Sequence, residues 1–382
     1  MADLLRELKE NGLVFPEYRN SNLSVLTDII NHKSKVADKD KTVFMVVDGM
    51  GYNLIKGLLA DMPGSALSEA RTSRISTVFP SSTLAVLTSL ETGLMPSEHG
   101  LVGWNVYSRD IGSVVMPYRG SLTMSSSMRL SRAGVDVRDM FPKPGLFSKA
   151  AEKHGLVLLL EKGVEMPYLD TSWKEESYIT QSDMLIKLRD IVKEEEHGII
   201  YAYYPVIDAL EHTYGPDSES IRNSLALLFT ELERVALPAI RKHGYNLVIT
   251  ADHGQTRFRE TKIGGRSTLM GYLTGPPWGD KRCIFLNVAS GKEGEAEKYI
   301  SNAYGSDFIL IDSETAIASG VFGGKRAADS IRYRFGTHIM IAKGNAALEY
   351  EYPEIEPRPR KEKLGTHSGL SKDEMEIPLI VY

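Results

Sequence analysis

The chain has a single cysteine, Cys283, in 382 residues. No disulfide can form within it, so a disulfide-framed secreted scaffold is not indicated. Cys283 lies in RCIFLNV, a buried-strand pattern, and is expected to be an inert core thiol. Long apolar runs are also missing: no stretch reaches the roughly 18 apolar residues that a membrane-spanning helix needs. Positive charge is not in excess, since the formal net charge is −5. That argues against a charge-driven nucleic-acid-binding surface. The N-terminal stretch MADLLRELKENG is charged and amphipathic, with no apolar run to serve as a signal. A cytoplasmic location without a membrane partner is therefore expected. Internal repeats and low-complexity tracts are absent.

What remains is an ordinary globular composition, 42% hydrophobic and 25% charged. The length suffices to bury a sizeable core without crosslinks. The segment TVFMVV (42–47) is apolar and β-branched throughout, as buried parallel strands are. Similar strand patterns recur at 156–161, 198–204 and 245–251. Helical patterns fall near 53–60, from 84 to Gly93, and at 145–154, 182–195 and 217–242. Strands alternating with helices imply an α/β fold, a mostly parallel sheet sandwiched by helices. After about residue 260 the texture changes. GGRSTLMGYLTGPPWGD is Gly/Pro-rich and reads as an excursion, with 263–279 a candidate lid segment. A small α+β unit follows, and EYPEIEPRPRKEK (350–363) reads as a return segment. The expected organisation is a catalytic core of 1–264 plus 361–382, with 265–360 an inserted α+β cap. IPLIVY (377–382) reads as a last core strand.

Four short motifs and one late loop hold chemistry-bearing residues. Asp48 ends the first strand in VVDGMG. Thr83 lies in FPSSTLAVLTSLETG, where a helix should begin. Asp208 and His212 lie in YYPVIDALEHTYGP. Asp252 and His253 lie in ITADHGQ, and His367 in GTHSG. An isolated aspartate after a strand is usually a turn residue or a cap. Three acids at equivalent ends of separate strands are harder to explain that way, because open parallel sheets place ligands outside those ends. Crowding them together is costly without cations. Asp208 and His212, four residues apart, share one helix face and can hold one metal, or simply pair with each other. Asp252 and His253 can share a metal only on an irregular loop. Ser81, Ser82 or Thr83 can cap the coming helix, whose N-terminus also suits a phosphate. A hydroxyl there, beside a metal, would be an activated nucleophile. Carboxylates, imidazoles and one alcohol together read as a two-metal phosphoryl-transfer site. Zinc is preferred over manganese because of the imidazoles.

These motifs resemble those of the alkaline phosphatase superfamily, and within it the type I phosphodiesterase/nucleotide pyrophosphatase family. The resemblance spans about 42–108, 198–256 and 364–382. It rests on DGMG, the helix start closing with TG-x-x-P-x-x-HG (Thr92 to Gly100), D-x-x-x-H-x-x-G and ADHG, in that order. It implies two divalent metals, one held by Asp208, His212 and His367. The other would be held by Asp48, Thr83, Asp252 and His253, with Thr83 the nucleophile. In this chain Val78 stands before Phe79-Pro80, where many relatives carry the nucleophilic threonine, and counting back from Thr92-Gly93 selects Thr83. Val86 falls where nucleotide pyrophosphatases place a phosphate-binding asparagine, which weakens the transfer of their substrate preference. His99 belongs to the motif and reads as structural.

The resemblance implies a phosphodiesterase that hydrolyses phosphate diesters through a phosphothreonine intermediate. A phosphomonoesterase, phosphonate hydrolase or phosphomutase is the alternative, and a catalytically silent binding protein the remote one. The expected partner is a small phosphate ester. Trp104, Tyr107 and Tyr214 offer either nucleobase stacking or plain packing. Oligomeric state is not legible.

Overall fold

A computed structural model of the protein describes residues 2–66, 68–164, 172–194, 196–353 and 362–382. A seven-stranded sheet forms its centre. In spatial order the strands are Arg71–Ser76, Glu376–Val381, Tyr245–Thr250, Lys41–Val47, Ile199–Tyr204, Leu156–Glu161 and Lys174–Tyr178. The last five run parallel to one another. Glu376–Val381 runs antiparallel to both of its neighbours. The central strands are buried on both faces, which explains their unbroken apolar sequences.

Helices cover both faces, as the strand–helix alternation predicts. The helices Asn22–Ile30, Thr83–Thr92 and Gly145–His154 contact one another. Gln181–Glu194, Val206–Tyr214, Glu219–Val235 and Leu237–Lys242 form a second connected group. The sequence pattern predicts one long helix over 217–242. The structure divides it at Ala236. Pro238 accounts for the break, since it has no N–H to donate and its ring crowds the preceding turn.

Several elements escape the sequence reading, among them the helix Asn22–Ile30 and the strand Lys174–Tyr178. Arg71–Ser76 is a polar edge strand with only Ile75 and Ser76 buried, so it lacks an apolar signature. Residues 106–129 form a four-stranded antiparallel sheet of very short, serine-containing strands.

Within 265–360 a second four-stranded antiparallel sheet orders Trp278–Asp280, Cys283–Leu286, His338–Ala342 and Phe308–Asp312. The helices Glu293–Tyr304 and Ser313–Ser319 accompany it. Arg259–Gly264 pairs in parallel with Ala346–Glu351, so the start of the candidate lid is a strand. Cys283 is fully buried, and burial pushes its thiol well above the usual range. Most of the expected return segment, 354–361, lies outside the described residues, together with the expected boundary at 360/361. No helix among the described residues is long and apolar enough to cross a membrane.

Candidate active site

Lys41–Val47 pairs with Ile199–Tyr204 on one side and Tyr245–Thr250 on the other. Three strand ends therefore lie side by side, and Asp48, Asp208 and Asp252 follow them. Their loops are tied together. The Asp208 N–H donates to the Asp48 carbonyl at 3.0 Å, and the Gly49 N–H donates to Asp252 Oδ1 at 3.1 Å. The glycines of DGMG and ADHG allow this crowding. Gly49 has φ +81°, and a Cβ on it would lie 2.7 Å from Glu211 Oε2. A Cβ on Gly254 would lie 2.1 Å from the Asp373 carbonyl and 2.8 Å from Gly51 Cα.

Thr83 is the first residue of its helix, and Ser82 occupies the cap position without making a capping bond. The capping role expected of these hydroxyls is not taken up, because each has another partner. Ser81 Oγ donates to the Gly369 carbonyl at 2.8 Å. Ser82 hydrogen-bonds Asp280, whose carboxyl is nevertheless raised by burial. Thr83 Oγ1 faces the cluster, 3.0 Å from His253 Nε2.

The three histidines are held alike. His212 Nδ1 meets the Gly365 carbonyl at 2.8 Å, His367 Nδ1 the Ser81 carbonyl at 2.9 Å, and His253 Nδ1 the Gly254 carbonyl at 3.2 Å. A carbonyl can only accept, so each Nδ1 carries the proton and each Nε2 lone pair faces the carboxylates. His212 Nε2 lies 3.5 Å from Asp208 Oδ2, and His367 Nε2 lies 3.7 Å from Asp208 Oδ1. His253 Nε2 lies 3.6 Å from Asp48 Oδ1 and 3.3 Å from Asp252 Oδ2. Backbone carbonyls holding the far nitrogen are the usual support for metal-ligating imidazoles.

The electrostatics point the same way. Asp48 Oδ1 and Asp252 Oδ2 are buried without a hydrogen-bond partner. Burial, then the nearby Asp252 and Asp208, raises Asp48 well above the usual carboxylate range, against a hydrogen bond from Tyr203. Burial also raises Asp252, although His253 opposes it. Burial, helped by His253 and His212, holds His367 well below the usual imidazole range. Burial likewise lowers His212, although Asp208 pulls it upward. Orphaned carboxylate oxygens facing imidazole lone pairs are a donor set that fits divalent cations.

The grouping differs in one respect from the division expected from the resemblance. Asp48, Asp252 and His253 offer ligand atoms within 4.8 Å of one another, and so do Asp208, His253 and His367. His253 thus stands in both groups. Its ring stacks on His367 with centroids 3.8 Å apart, which places it between the two sets of carboxylates. His212 remains beside Asp208, its ring centroid 5.2 Å from that of His367.

Two supporting residues were missed by sequence reasoning. The Tyr203 hydroxyl donates to Asp48 Oδ2, and Gln255 Nε2 donates to Asp208. Tyr203 belongs to an apolar strand and reads as core. Gln255 directly follows ADHG, and that position was its only signal. His99 is buried between Ser89 and the Leu101 N–H, and burial, then Arg334, lowers it to about 3. That is a structural environment.

Two cavities meet at Thr83, Asp208 and Trp104. The larger, about 440 Å³, is walled by Arg119, Lys281, Tyr350 and Tyr352, and by Pro277–Asp280 from the end of the candidate lid segment. The smaller, about 220 Å³, runs along the Thr83–Thr92 helix. Tyr107 instead packs on Trp278 and Tyr333, and Tyr214 is half exposed away from both cavities.

A family model for type I phosphodiesterase/nucleotide pyrophosphatase matches residues 42–269, more than half of the chain. The chain belongs to that family. The protein is therefore a phosphoric ester hydrolase of the alkaline phosphatase superfamily. No curated protein sequence matches this phosphodiesterase-family chain significantly. Among solved structures it is similar to murine ectonucleotide pyrophosphatase/phosphodiesterase 5, with 14% identity and a TM-score of 0.64, over 89% of this chain and 87% of the other. An inactive form of that murine protein has been solved with AMP. Phosphonoacetate hydrolase from Sinorhizobium meliloti, solved with phosphonoacetate, is similar at 14% identity and a TM-score of 0.61, over 89% of each chain. At such identities these likenesses speak to the fold.

Proposed function

We propose that the protein is a two-metal phosphodiesterase that works through a phosphothreonine on Thr83. The observation that carries this reading is the convergence of three backbone-anchored imidazoles and three aspartates around the Thr83 hydroxyl, which meets His253 Nε2. Asp208, His212 and His367 would hold one divalent cation, and Asp48, Asp252, His253 and Thr83 the other, with His253 central to both. Zinc suits a set containing three imidazoles better than manganese does. Such ions, when bound, supply Lewis-acid charge to the phosphoryl and ester oxygens.

The chain's own residues do the rest. Thr83 Oγ1 attacks phosphorus, and the bond to the leaving alcohol breaks in line. Water then hydrolyses the phosphothreonine, and two displacements give net retention at phosphorus. The start of the Thr83–Thr92 helix presents N–H groups to the phosphoryl oxygens. Tyr203 and Gln255 fix the orientation of Asp48 and Asp208. The sheet within 278–342 acts as the cap and closes one side of the larger cavity.

The rival reading is a phosphonate hydrolase or phosphomonoesterase, and Arg119 on the wall of the larger cavity favours it by offering charge to a second anionic group, whereas Lys281 there is paired with Glu260 and Glu349. Metal-stripped protein given Zn²⁺ or Mn²⁺ and assayed on bis-p-nitrophenyl phosphate against p-nitrophenyl phosphate separates the two. Preference for the diester supports the phosphodiesterase. Preference for the monoester moves the assignment to a phosphomonoesterase, and activity on neither points to a phosphonate substrate.

A further inference from the structure

Asp280 brings a carboxylate from the second sheet to the start of the Thr83–Thr92 helix. It ends the strand Trp278–Asp280, and its two oxygens share the Trp104 N–H at 3.0 and 3.1 Å. The Ser82 hydroxyl donates to it as well. Ser82 is buried and directly precedes Thr83. Asp280, Ser82 and Thr83 line the larger cavity together with Asp208, His212 and His367.

The surroundings are built to hold the carboxylate there. The Gly279 N–H donates to the Asn105 carbonyl at 2.9 Å, and Asn105 Nδ2 donates to the Gly279 carbonyl at 3.2 Å. A Cβ on Gly103 would lie 2.9 Å from Gly279 Cα and 3.0 Å from Asp280 Oδ2, so the two segments meet where residue 103 has no side chain. None of these contacts needs a charge. An asparagine could accept the same N–H and hydroxyl through its carbonyl oxygen. Burial works against the ionised form and raises Asp280, although Ser82, Trp104, Lys363 and His253 all oppose it. A charge kept where a neutral isostere would serve calls for a second role.

Its place supplies one. A phosphate monoester carries close to two negative charges at neutral pH, whereas a diester carries one. Asp280 is bonded to the residue beside Thr83, and its charge is felt at His253, whose Nε2 meets Thr83 Oγ1. A phosphoryl group held at Thr83 therefore stands within reach of its field. The cations of the same wall are engaged in different ways. Lys281 pairs with Glu260 and Glu349, and Arg119 lies over the Trp104 ring, 5.8 Å from the centroid. Lys363 draws the Asp280 carboxyl down, so its charge is set partly against Asp280 itself.

We propose that Asp280 is a specificity-determining residue, a fixed negative charge that turns away dianionic monoesters and admits monoanionic diesters. The inference rests on the phosphodiesterase reading above and deepens it. Discrimination of this kind comes from a repulsive element placed against the wrong ligand.

The test compares methyl p-nitrophenyl phosphate with p-nitrophenyl phosphate, which share a leaving group and differ in charge. On the metal-loaded protein, Asp280→Asn should lower the diester-to-monoester ratio of kcat/KM at least about tenfold. The change should come from faster monoester turnover, with the diester rate altered less than about threefold. Asp280→Ser carries the same expectation should the asparagine variant not fold. Asp280→Glu, which restores the charge, should stay near the wild-type ratio. A ratio left unchanged by loss of the charge, or both substrates slowed alike, overturns the proposal and leaves Asp280 a structural tie.

The wild-type ratio judges the phosphodiesterase reading separately. A wild-type protein faster on the monoester fails that reading, while the shift on substitution still decides Asp280. If neither substrate turns over, calorimetry with phenylphosphonate and its monomethyl ester decides. The dianion should bind Asp280→Asn at least about tenfold more tightly than wild type, with the monoester of the phosphonate unchanged. An equal gain for both ligands, or none, overturns the proposal.

Discussion

Arg282 and Glu374 meet in a two-pronged ion pair, Nε to Oε1 at 2.7 Å and Nη2 to Oε2 at 2.9 Å, with neither side chain exposed. Arg282 belongs to the Cys283 sheet region and also donates to the carbonyls of Ala346 and Gly344. Glu374 accepts from the N–H groups of Gly369 and Ser371 and from the Ser371 hydroxyl. The pair therefore fastens the loop carrying His367 to the second sheet. Removing one partner strands a buried charge. Arg282→Met should cost about 3–5 kcal/mol and weaken metal retention, read by urea unfolding and by metal analysis. Arg282→Met with Glu374→Leu should recover much of the stability. If the single variant is as stable as wild type, the pair does not hold the loop.

The same pair predicts an acid limit. Burial by itself would raise Glu374, but the Arg282 charge and the hydrogen bonds from Arg282, Ser371 and Gly369 outweigh it and leave the carboxyl below the usual range. Its contribution is therefore complete above the unfolded carboxylate value. It is lost as pH falls through the lower folded value. Urea midpoints measured from neutral pH downward should drop more steeply in wild type than in Glu374→Gln.

Without metal, the crowded aspartates give the opposite slope. Asp48 and Asp252 are both raised by burial. The contribution of these two carboxyls to the stability of the chelated protein should thus be full below the ordinary carboxylate range, and decline as pH rises through the raised folded values. Added Zn²⁺ should restore the melting temperature near neutral pH. A chelated protein with a flat profile would speak against a cation-neutralised cluster.

Thr83→Ala should lower kcat on a diester by at least about a thousandfold with metal content nearly intact. Thr83→Ser should keep part of the rate. A Thr83→Ala variant with most of the wild-type rate would remove Thr83 as nucleophile.

Tyr203→Phe tests the support of Asp48. The variant leaves both Asp48 oxygens without a protein donor, since Oδ1 already lacks one. Metal affinity should fall about 10- to 100-fold, as it does when a supporting hydrogen bond is lost. Competition with a chromogenic chelator measures it.

The sheet centre and the cluster were legible for one shared reason. Buried parallel strands must be apolar throughout, so Asp48 and Asp252 stand out where those strands stop, and the glycines beside them mark loops that cross closely. Gly93 and Gly100, both with positive φ, end the two helical turns of the TG-x-x-P-x-x-HG segment and mark it in the same way. Less legible features follow weaker rules. Tyr203 alternates within an apolar strand, and nothing local distinguishes a phenol that supports a carboxylate from one that packs. The strands of 106–129 are too short for periodicity to register. The break at Ala236 follows from Pro238, although the apolar spacing on either side continues as in one long helix. That His253 faces both sets of carboxylates depends on ring stacking with a residue 114 positions later, which no local pattern encodes.

The antiparallel strand Glu376–Val381 is an interior member of the sheet, lying between Tyr245–Thr250 and Arg71–Ser76. In chain order it is made after every other strand of that sheet. Until then the Tyr245–Thr250 edge stays open, Arg71–Ser76 has no sheet to join, and the loop with His367 has no anchor. A nascent chain therefore carries most of the candidate ligands but not the closed arrangement. Acquisition of activity is expected only once residues 376–381 have been made, and a chain stalled before them would expose a sticky sheet edge.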